Sequence, residues 1–379
     1  VATLPGGYPY HCVRELFVGP RPELTSVETH IMGNRKCVIM AGGSGQRFWP
    51  VSRPERPKQF LRLADPEKSL LQQAVERAEA IAGAGNFVVQ TTPGLVIPSR
   101  RELPELSHEQ VDSEPIQRNT MGAILWAVAR LISQSEDNWR GIEMAVLTAD
   151  HRIEPLDGFL KTVDDAFVMA REHKAIVTIG IEPSRPDTGF GYIEVGQEVA
   201  PGYMVKRFRE KPNRDTAVGF LKQGGFLWNS GMFFWTLDTF DRSLEQADQS
   251  LHMALHRIVQ ALRADNHAEA VAIFSEIGND PVDIALVEHS RSVAVVKAQF
   301  DWDDLGTWDS INRSLPSDDS ENVGIGRLRA VESNGNVIYN EVDGMRVNLL
   351  GVEDMVMVVT EDEILLCPRD RSQDVRRLT

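Results

Sequence analysis

The feature that most constrains the fold of this chain is a short apolar run that stops abruptly at glycine. Cys37-Val38-Ile39-Met40-Ala41 leads straight into Gly42-Gly43, which is how a strand buried on both faces reads where it meets a loop. A helical segment follows. Ser69 and Gln72 have the spacing of a capping box, and Leu71, Ala74, Val75, Ala78 and Ile81 recur at helical intervals until Gly83. The alternation then repeats, with strands expected at residues 87–90, 143–148 and 175–181 and helices at about 121–133 and 158–173. Serial strand-helix-strand units close by right-handed crossovers, so the pattern predicts an α/β protein built on a doubly wound, mostly parallel, Rossmann-like sheet.

Residues 203–210 and 227–235 read as further strands around a helix at 214–223, and residues 237–274 as mostly helical. All of these fall in one large domain, residues 35–313. Beyond it, short β segments at 336–339, 355–360 and 363–367 are punctuated by Gly and Asp with no long helix, which predicts a small all-β, β-helix-like domain over 314–379. With about 65 residues after Ser314, no further enzymatic domain is expected at the C-terminal end. Residues 1–34 carry Pro5, Pro9, Pro20 and Pro22 without a sustained period and read as an irregular extension with one short strand near 13–18.

Charge narrows the function. With 55 acidic and 40 basic side chains the net charge is -15, and no basic run offers the continuous field that a nucleic-acid groove needs. The composition, 42% hydrophobic and 25% charged, is that of a folded soluble protein rather than a disordered one. No apolar stretch approaches the roughly 18 residues that would span a bilayer, and no signal segment is legible, so the expected location is cytoplasmic. Cys12, Cys37 and Cys367 are scattered without a CxxC, which reads as reduced thiols; a bound metal would therefore be held by oxygen.

Against this acidic background one loop is cationic. Arg47, Arg53, Arg56 and Lys58 stand against a single acid, Glu55, directly after Gly42-Gly43-Ser44-Gly45. Glycines after a strand let consecutive backbone N–H groups face an anion, so the loop is a candidate polyphosphate site. It is not a dinucleotide fingerprint, because Phe48 stands at the third glycine position, nor a Walker loop, because no GK[ST] follows. Other chemistries fail on their own terms. His252 and His256 have i,i+4 spacing, but Met253 occupies the place where a zinc protease needs its glutamate, and there is no GxSxG elbow.

The segment AGGSGQRFWPVSRPERPKQF resembles the signature loop of the sugar-1-phosphate nucleotidylyltransferases, and its Trp-Pro and Pro-Lys-Gln-Phe elements resemble the mannose-1-phosphate guanylyltransferase branch. Further matches follow in order: Arg118-Asn119-Thr120, Thr148-Ala149-Asp150-His151, the run from Thr188 to Glu194, Glu210-Lys211-Pro212, the run from Trp228 to Phe233, and the run from Phe300 to Trp308. The Gln373-Asp374-Val375 tail is similar as well. The resemblance implies transfer of GMP from GTP to α-mannose 1-phosphate, giving GDP-mannose and pyrophosphate. It implies catalytic roles for Arg47 and Lys58, and nucleotide contacts from Ala41, Gly42, Gly43, Ser44, Gly45, Arg47, Arg118, Asn119, Thr120 and Asp150. The sugar phosphate would meet Gly191, Glu210, Lys211 and Asn229. Asp150 and Asp304 would hold Mg²⁺, with Asp303 a competing neighbour; two hard carboxylates plus phosphate oxygens suit that ion. The rival readings are a relative with another nucleotide or hexose, and a non-catalytic binder of nucleotide sugars that regulates a partner. The small β domain is expected either to make a homodimer contact or to close over the sugar site.

Overall fold

The computed structural model describes residues 34–43, 45–135 and 138–379. The expected extension, its strand near 13–18, Cys12 and Ser44 lie outside the described residues. The large domain is built on a nine-stranded sheet. Its strands in chain order are β1 (Arg35–Met40), β2 (Phe87–Thr91), β3 (Val111–Ser113), β4 (Glu143–Thr148), β6 (Ile176–Ile181), β7 (Tyr192–Val199), β8 (Gly202–Arg209), β9 (Phe226–Thr236) and β10 (Val293–Lys297), and the spatial order is β3-β2-β1-β4-β9-β6-β10-β8-β7. A separate two-stranded pair joins β5 (Arg152–Glu154) to β11 (Asp301–Asp303).

The expected strands β1, β2, β4 and β6 are all present, and β1 pairs in parallel with β2 and β4; β3 and β10, which the sequence pattern did not mark, extend the parallel part by pairing with β2 and β6. Sequence alternation did not disclose that β9 inserts antiparallel between β4 and β6, or that β7 and β8 form an antiparallel edge. Only β7 and β8 are joined by a tight hairpin; β8 leads to β9 through the expected helix at Arg214–Gln223, and a strand-helix-strand pattern by itself does not tell an antiparallel return from a parallel crossover.

Helix α1 (Leu70–Ala82) begins with the predicted capping box, in which the Ser69 hydroxyl accepts from the Gln72 amide while the Gln72 side chain accepts from the Ser69 N–H. Helices α2 (Asn119–Gln134) and α3 (Leu156–His173) follow, and they pack on opposite faces of the sheet. On one face, α1 and α3 bury Leu71, Ala78, Phe159 and Phe167. On the other, α2, α4 (Leu237–Ala247) and α5 (Gln249–Arg263) bury Ile124, Phe240, Leu244 and Leu255. No described helix is long and apolar enough to cross a membrane.

The C-terminal strands β12 (Val323–Ile325), β13 (Leu328–Val331), β14 (Val337–Asn340), β15 (Val347–Leu350), β16 (Met355–Val359) and β17 (Ile364–Pro368) form short coils stacked mainly in parallel. Their stacking is fixed by a buried amide ladder, in which Asn336 donates to the side chain of Asn322 at 2.9 Å and to the carbonyl of Val352 at 2.9 Å. A 3-10 helix, Arg369–Leu378, closes the chain, an element with no counterpart in the sequence pattern.

A third core joins this domain to the glycine loop. Trp308 is fully buried, packs edge-on against Phe48 at 4.9 Å and against Tyr339 at 5.2 Å, and donates its indole N–H to the carbonyl of Trp49 at 3.1 Å. Removing it leaves a large cavity and an orphaned carbonyl. We expect Trp308→Ala to lower unfolding free energy by about 3–5 kcal/mol, measured by urea denaturation, and to weaken binding at the loop it braces.

Candidate active site

The site begins where β1 and β4 end side by side, with Met40 opposite Thr148. Open parallel sheets present their ligand crevice at this edge. The glycine loop leaves β1 there and Asp150 follows β4. Loop shape is set by Gly45, which has φ +60°; a Cβ at this position would lie 2.5 Å from the backbone nitrogen and the Cβ of Lys58. Only glycine allows that approach, and it brings Lys58 into the crevice. Ser52 reinforces the turn by donating to the Gly45 carbonyl at 2.8 Å.

Lys58 is 6% exposed, and its ammonium donates to Asp150 Oδ2 at 2.9 Å and to the backbone carbonyl of Asp304. Pairing of β5 with β11 makes this meeting possible. Asp303 lies opposite Arg152, so the residues just beyond, Asp304 and His151, are carried to the same place. Asp303 itself is engaged elsewhere: its carboxylate accepts from the Leu305 amide at 2.7 Å and pairs with Arg313 at 3.4 Å. Of the two neighbours, Asp304 is the one in the cavity.

Electrostatics differ between the two carboxylates. Burial opposes ionisation of Asp150, but the charge of the adjacent Lys58 ammonium and its hydrogen bond outweigh it and hold the carboxyl below its ordinary range. Burial pushes Asp304 up to about 6; Lys58 opposes this, while Asp303, Asp150 and Asp187 reinforce it. Burial, with help from Lys58 and Arg77, lowers His151 to about 4 against the pull of Asp150, so the ring is neutral near pH 7. Trp302 donates to its Nδ1 at 3.2 Å. Since an indole N–H can only donate, the ring proton sits on Nε2, which is 3.6 Å from Asp150.

Two cavities meet here. One, of about 340 Å³, is lined by Gly45, Arg47, Lys58, Asp150 and Arg376; the other, of about 290 Å³, by Thr120, Gly191, Glu210, Lys211, Asn229 and Asp283. His151 and Asp304 line both. In the second cavity Gly191 has no room for a side chain, since a Cβ would fall 2.7 Å from Glu210 Oε2. The Lys211 ammonium pairs with Glu210 at 2.6 Å. Asn229 Oδ1 accepts from Thr178 at 2.8 Å and from the Gly231 amide at 3.2 Å, and its Nδ2 donates to Asp283 at 2.8 Å, which leaves one N–H for another partner. Phe190 and Trp302, 5.2 Å apart, supply an apolar wall. Tyr192 and Trp228 belong to the core. Asn119, Lys211 and Leu305 all have positive φ, a strained backbone for side-chain-bearing residues that gathers at binding sites.

Not every expected residue converges. Arg118 turns its guanidinium to the carbonyl of Ser275, and Asn119 accepts from the Thr120 amide at 2.9 Å. Thr120 does line the cavity, and its hydroxyl accepts from the Val282 amide at 2.8 Å. The cationic loop also divides. Arg53 pairs with Asp362 at 2.5 Å and Arg56 with Glu341 at 3.0 Å, so these two hold the β domain while Arg47 and Lys58 face the cavity. Sequence reasoning gave no role to Asp283 or Arg376. Neither lies in a motif; only the tertiary fold brings them in.

A family model described as nucleotidyl transferase matches residues 36–320, and one described as a MannoseP isomerase/GMP-like beta-helix domain matches residues 326–379. The chain belongs to the nucleotidyl transferase family. It is 35% identical over 350 residues to a mannose-1-phosphate guanylyltransferase of Klebsiella pneumoniae and 36% identical over 350 residues to one of Escherichia coli, in each case over 90% of this chain and 72% of the relative. A solved structure described as a mannose-1-phosphate geranyltransferase from Thermus thermophilus superposes with a TM-score of 0.81 at 30% identity, over 91% of this chain and 98% of that one. The mixed α/β sheet and the C-terminal β-helix domain are thus family features.

Asp283 yields a pH-dependent test. Burial and then the charge of Glu210 raise its carboxyl from 3.8 to about 6. The folded state therefore holds this proton more tightly than the unfolded chain; the resulting stabilisation is full below about pH 4 and disappears as pH rises through 6. Asp283→Asn cannot titrate, so its melting temperature should gain on wild type between pH 5 and pH 7.5. A constant difference across that range would refute the assignment.

Proposed function

We propose that this enzyme transfers GMP from GTP to α-mannose 1-phosphate, releasing pyrophosphate and GDP-mannose. One observation carries the reading: a cavity bordered by the glycine loop, Arg47 and Lys58 opens beside a second lined by Glu210, Lys211 and Asn229, with Asp304 shared between them. The relatives' names supply GTP and mannose 1-phosphate as the substrates to test. In this reading Ala41, Gly42, Gly43 and Gly45 bring the loop backbone to the triphosphate, and Thr120 bounds the region of the base and ribose.

Chemically, an oxygen of the sugar phosphate attacks the α-phosphorus of GTP, a new P–O bond forms, the α–β P–O bond breaks, and pyrophosphate leaves. The attacking oxygen is already anionic, so no general base is needed. Neutral His151 holds its proton toward Asp150 and fits an orienting role. Lys58 offsets negative charge developing at the α-phosphate, and Arg47 that on the departing phosphates. Catalysis is then positioning plus electrostatics.

Asp150 and Asp304 fit Mg²⁺. Both are hard oxygen donors on one cavity wall, and the crowding that raises Asp304 is what a nearby dication would offset. Bound there, the ion would supply charge neutralisation at the phosphates. For the sugar phosphate, Lys211 supplies a cation, Glu210 and Asn229 supply hydrogen-bonding groups, and Gly191 supplies backbone access.

The decisive assay is Mg²⁺-dependent pyrophosphate release with GTP and mannose 1-phosphate, beside ATP, UTP and glucose 1-phosphate. Equal rates with the control pairs would overturn the substrate assignment, and GDP-mannose binding without turnover would favour a regulator. We expect Asp150→Asn and Asp304→Asn each to lower kcat by about 10²–10³-fold with circular dichroism unchanged. Lys211→Ala should raise KM for the sugar phosphate by about 10–100-fold, the loss of one hydrogen bond to a charged group, with little effect on KM for GTP.

A further inference from the structure

The spaced pair His252 and His256 is unused by the transfer chemistry. Both lie on α5, one turn apart on the same face, and both meet Asp241 of α4. The Nε2 atoms of His252 and His256 lie 3.1 and 2.8 Å from the same oxygen, Oδ1 of Asp241, and 3.1 Å from each other. Asp241 is 8% exposed, and among the described residues it makes no ion pair with Lys or Arg. The cluster stands away from the crevice: α4 follows β9, whose Thr236 is opposite Glu143 at the start of β4, whereas Asp150 follows the end of β4.

No placement of protons gives all three edges of this triangle a well-directed hydrogen bond. Two rings that both donate to Oδ1 bring their own N–H groups together, and a ring that accepts from its neighbour turns a lone pair toward the carboxylate. One positive centre inside the triangle satisfies all three atoms at once. We propose that Asp241, His252 and His256 form a binding site for a divalent transition ion of the zinc type, distinct from the Mg²⁺ expected at the phosphates.

Two imidazoles and one carboxylate are a donor set that zinc favours. Bonds of about 2.0–2.2 Å in tetrahedral geometry set ligand atoms about 3.3 Å apart, so the observed edges need to open by only a few tenths of an ångström. His256 is the most exposed of the three, with 37% of its side chain accessible, which leaves the fourth position to water. The ion would clip α4 to α5, two helices whose other faces enter the core through Leu244, Leu255 and Ile258. Its role is structural rather than catalytic.

The test is zinc uptake by the full-length protein in Mg²⁺-containing buffer, by equilibrium dialysis and elemental analysis, with Co²⁺ as a spectroscopic probe. Wild type should retain one equivalent of zinc, show the visible bands of tetrahedral cobalt, and melt at a higher temperature with zinc than without. His256→Gln and Asp241→Asn should each lose all three responses while pyrophosphate release in metal-matched buffer stays at the wild-type rate. Absence of a tightly held equivalent in wild type would overturn the proposal, whatever the folding of the variants. So would equal uptake by wild type and His256→Gln, which would assign the zinc to other histidines.

Discussion

The structure of the site depends on one buried cation. The Lys58 ammonium lies almost entirely out of water, where an uncompensated charge costs several kcal/mol, and it is held by the carboxylate of Asp150 and the carbonyl of Asp304. Those partners are 92 and 246 residues away in the chain. Satisfying one ammonium therefore fixes three segments together: the loop after β1, the turn after β4 and the turn after β11. Gly45 permits the arrangement by admitting the Lys58 backbone to within contact.

The β domain is part of the same construction. Phe48 from the glycine loop, Trp308 from the helix after the Asp304 turn and Tyr339 from the β coils share one core. Arg53 and Arg56 extend this contact through Asp362 and Glu341, and the terminal 3-10 helix returns Arg376 to the cavity. The cationic loop thus anchors the β domain through Arg53 and Arg56, beside the phosphate contacts proposed for Arg47 and Lys58. Exposed ion pairs of this kind contribute little individually; the aromatic core carries the packing.

At the other cavity, polar groups constrain one another. Asn229 is positioned by Thr178, Gly231 and Asp283, so its remaining N–H has a fixed direction before any ligand arrives. Such preorganisation lowers the ordering cost of binding. Glu210 and Lys211 are paired, with Lys211 mostly exposed, and a ligand phosphate would compete with the carboxylate for that ammonium.

Local pattern along the chain was enough for strands β1, β2, β4 and β6, the helix beginning at Leu70 and the β segments after Ser314, because each is set by local periodicity, capping or glycine placement; β3 and β10 were not legible. The sequence also carried the motifs that mark the family. Tertiary structure alone decided the antiparallel insertion of β9, the division of labour between Asp303 and Asp304, the diversion of Arg118, Arg53 and Arg56, and the entry of Asp283 and Arg376. Side-chain partners at long chain separation leave no periodic trace, and a charged residue reads the same in sequence whether it faces a ligand or another domain. The histidine pair shows the same limit: its spacing was legible, but its meaning rests on an aspartate that only the packing of two helices brings to 2.8 Å from His256.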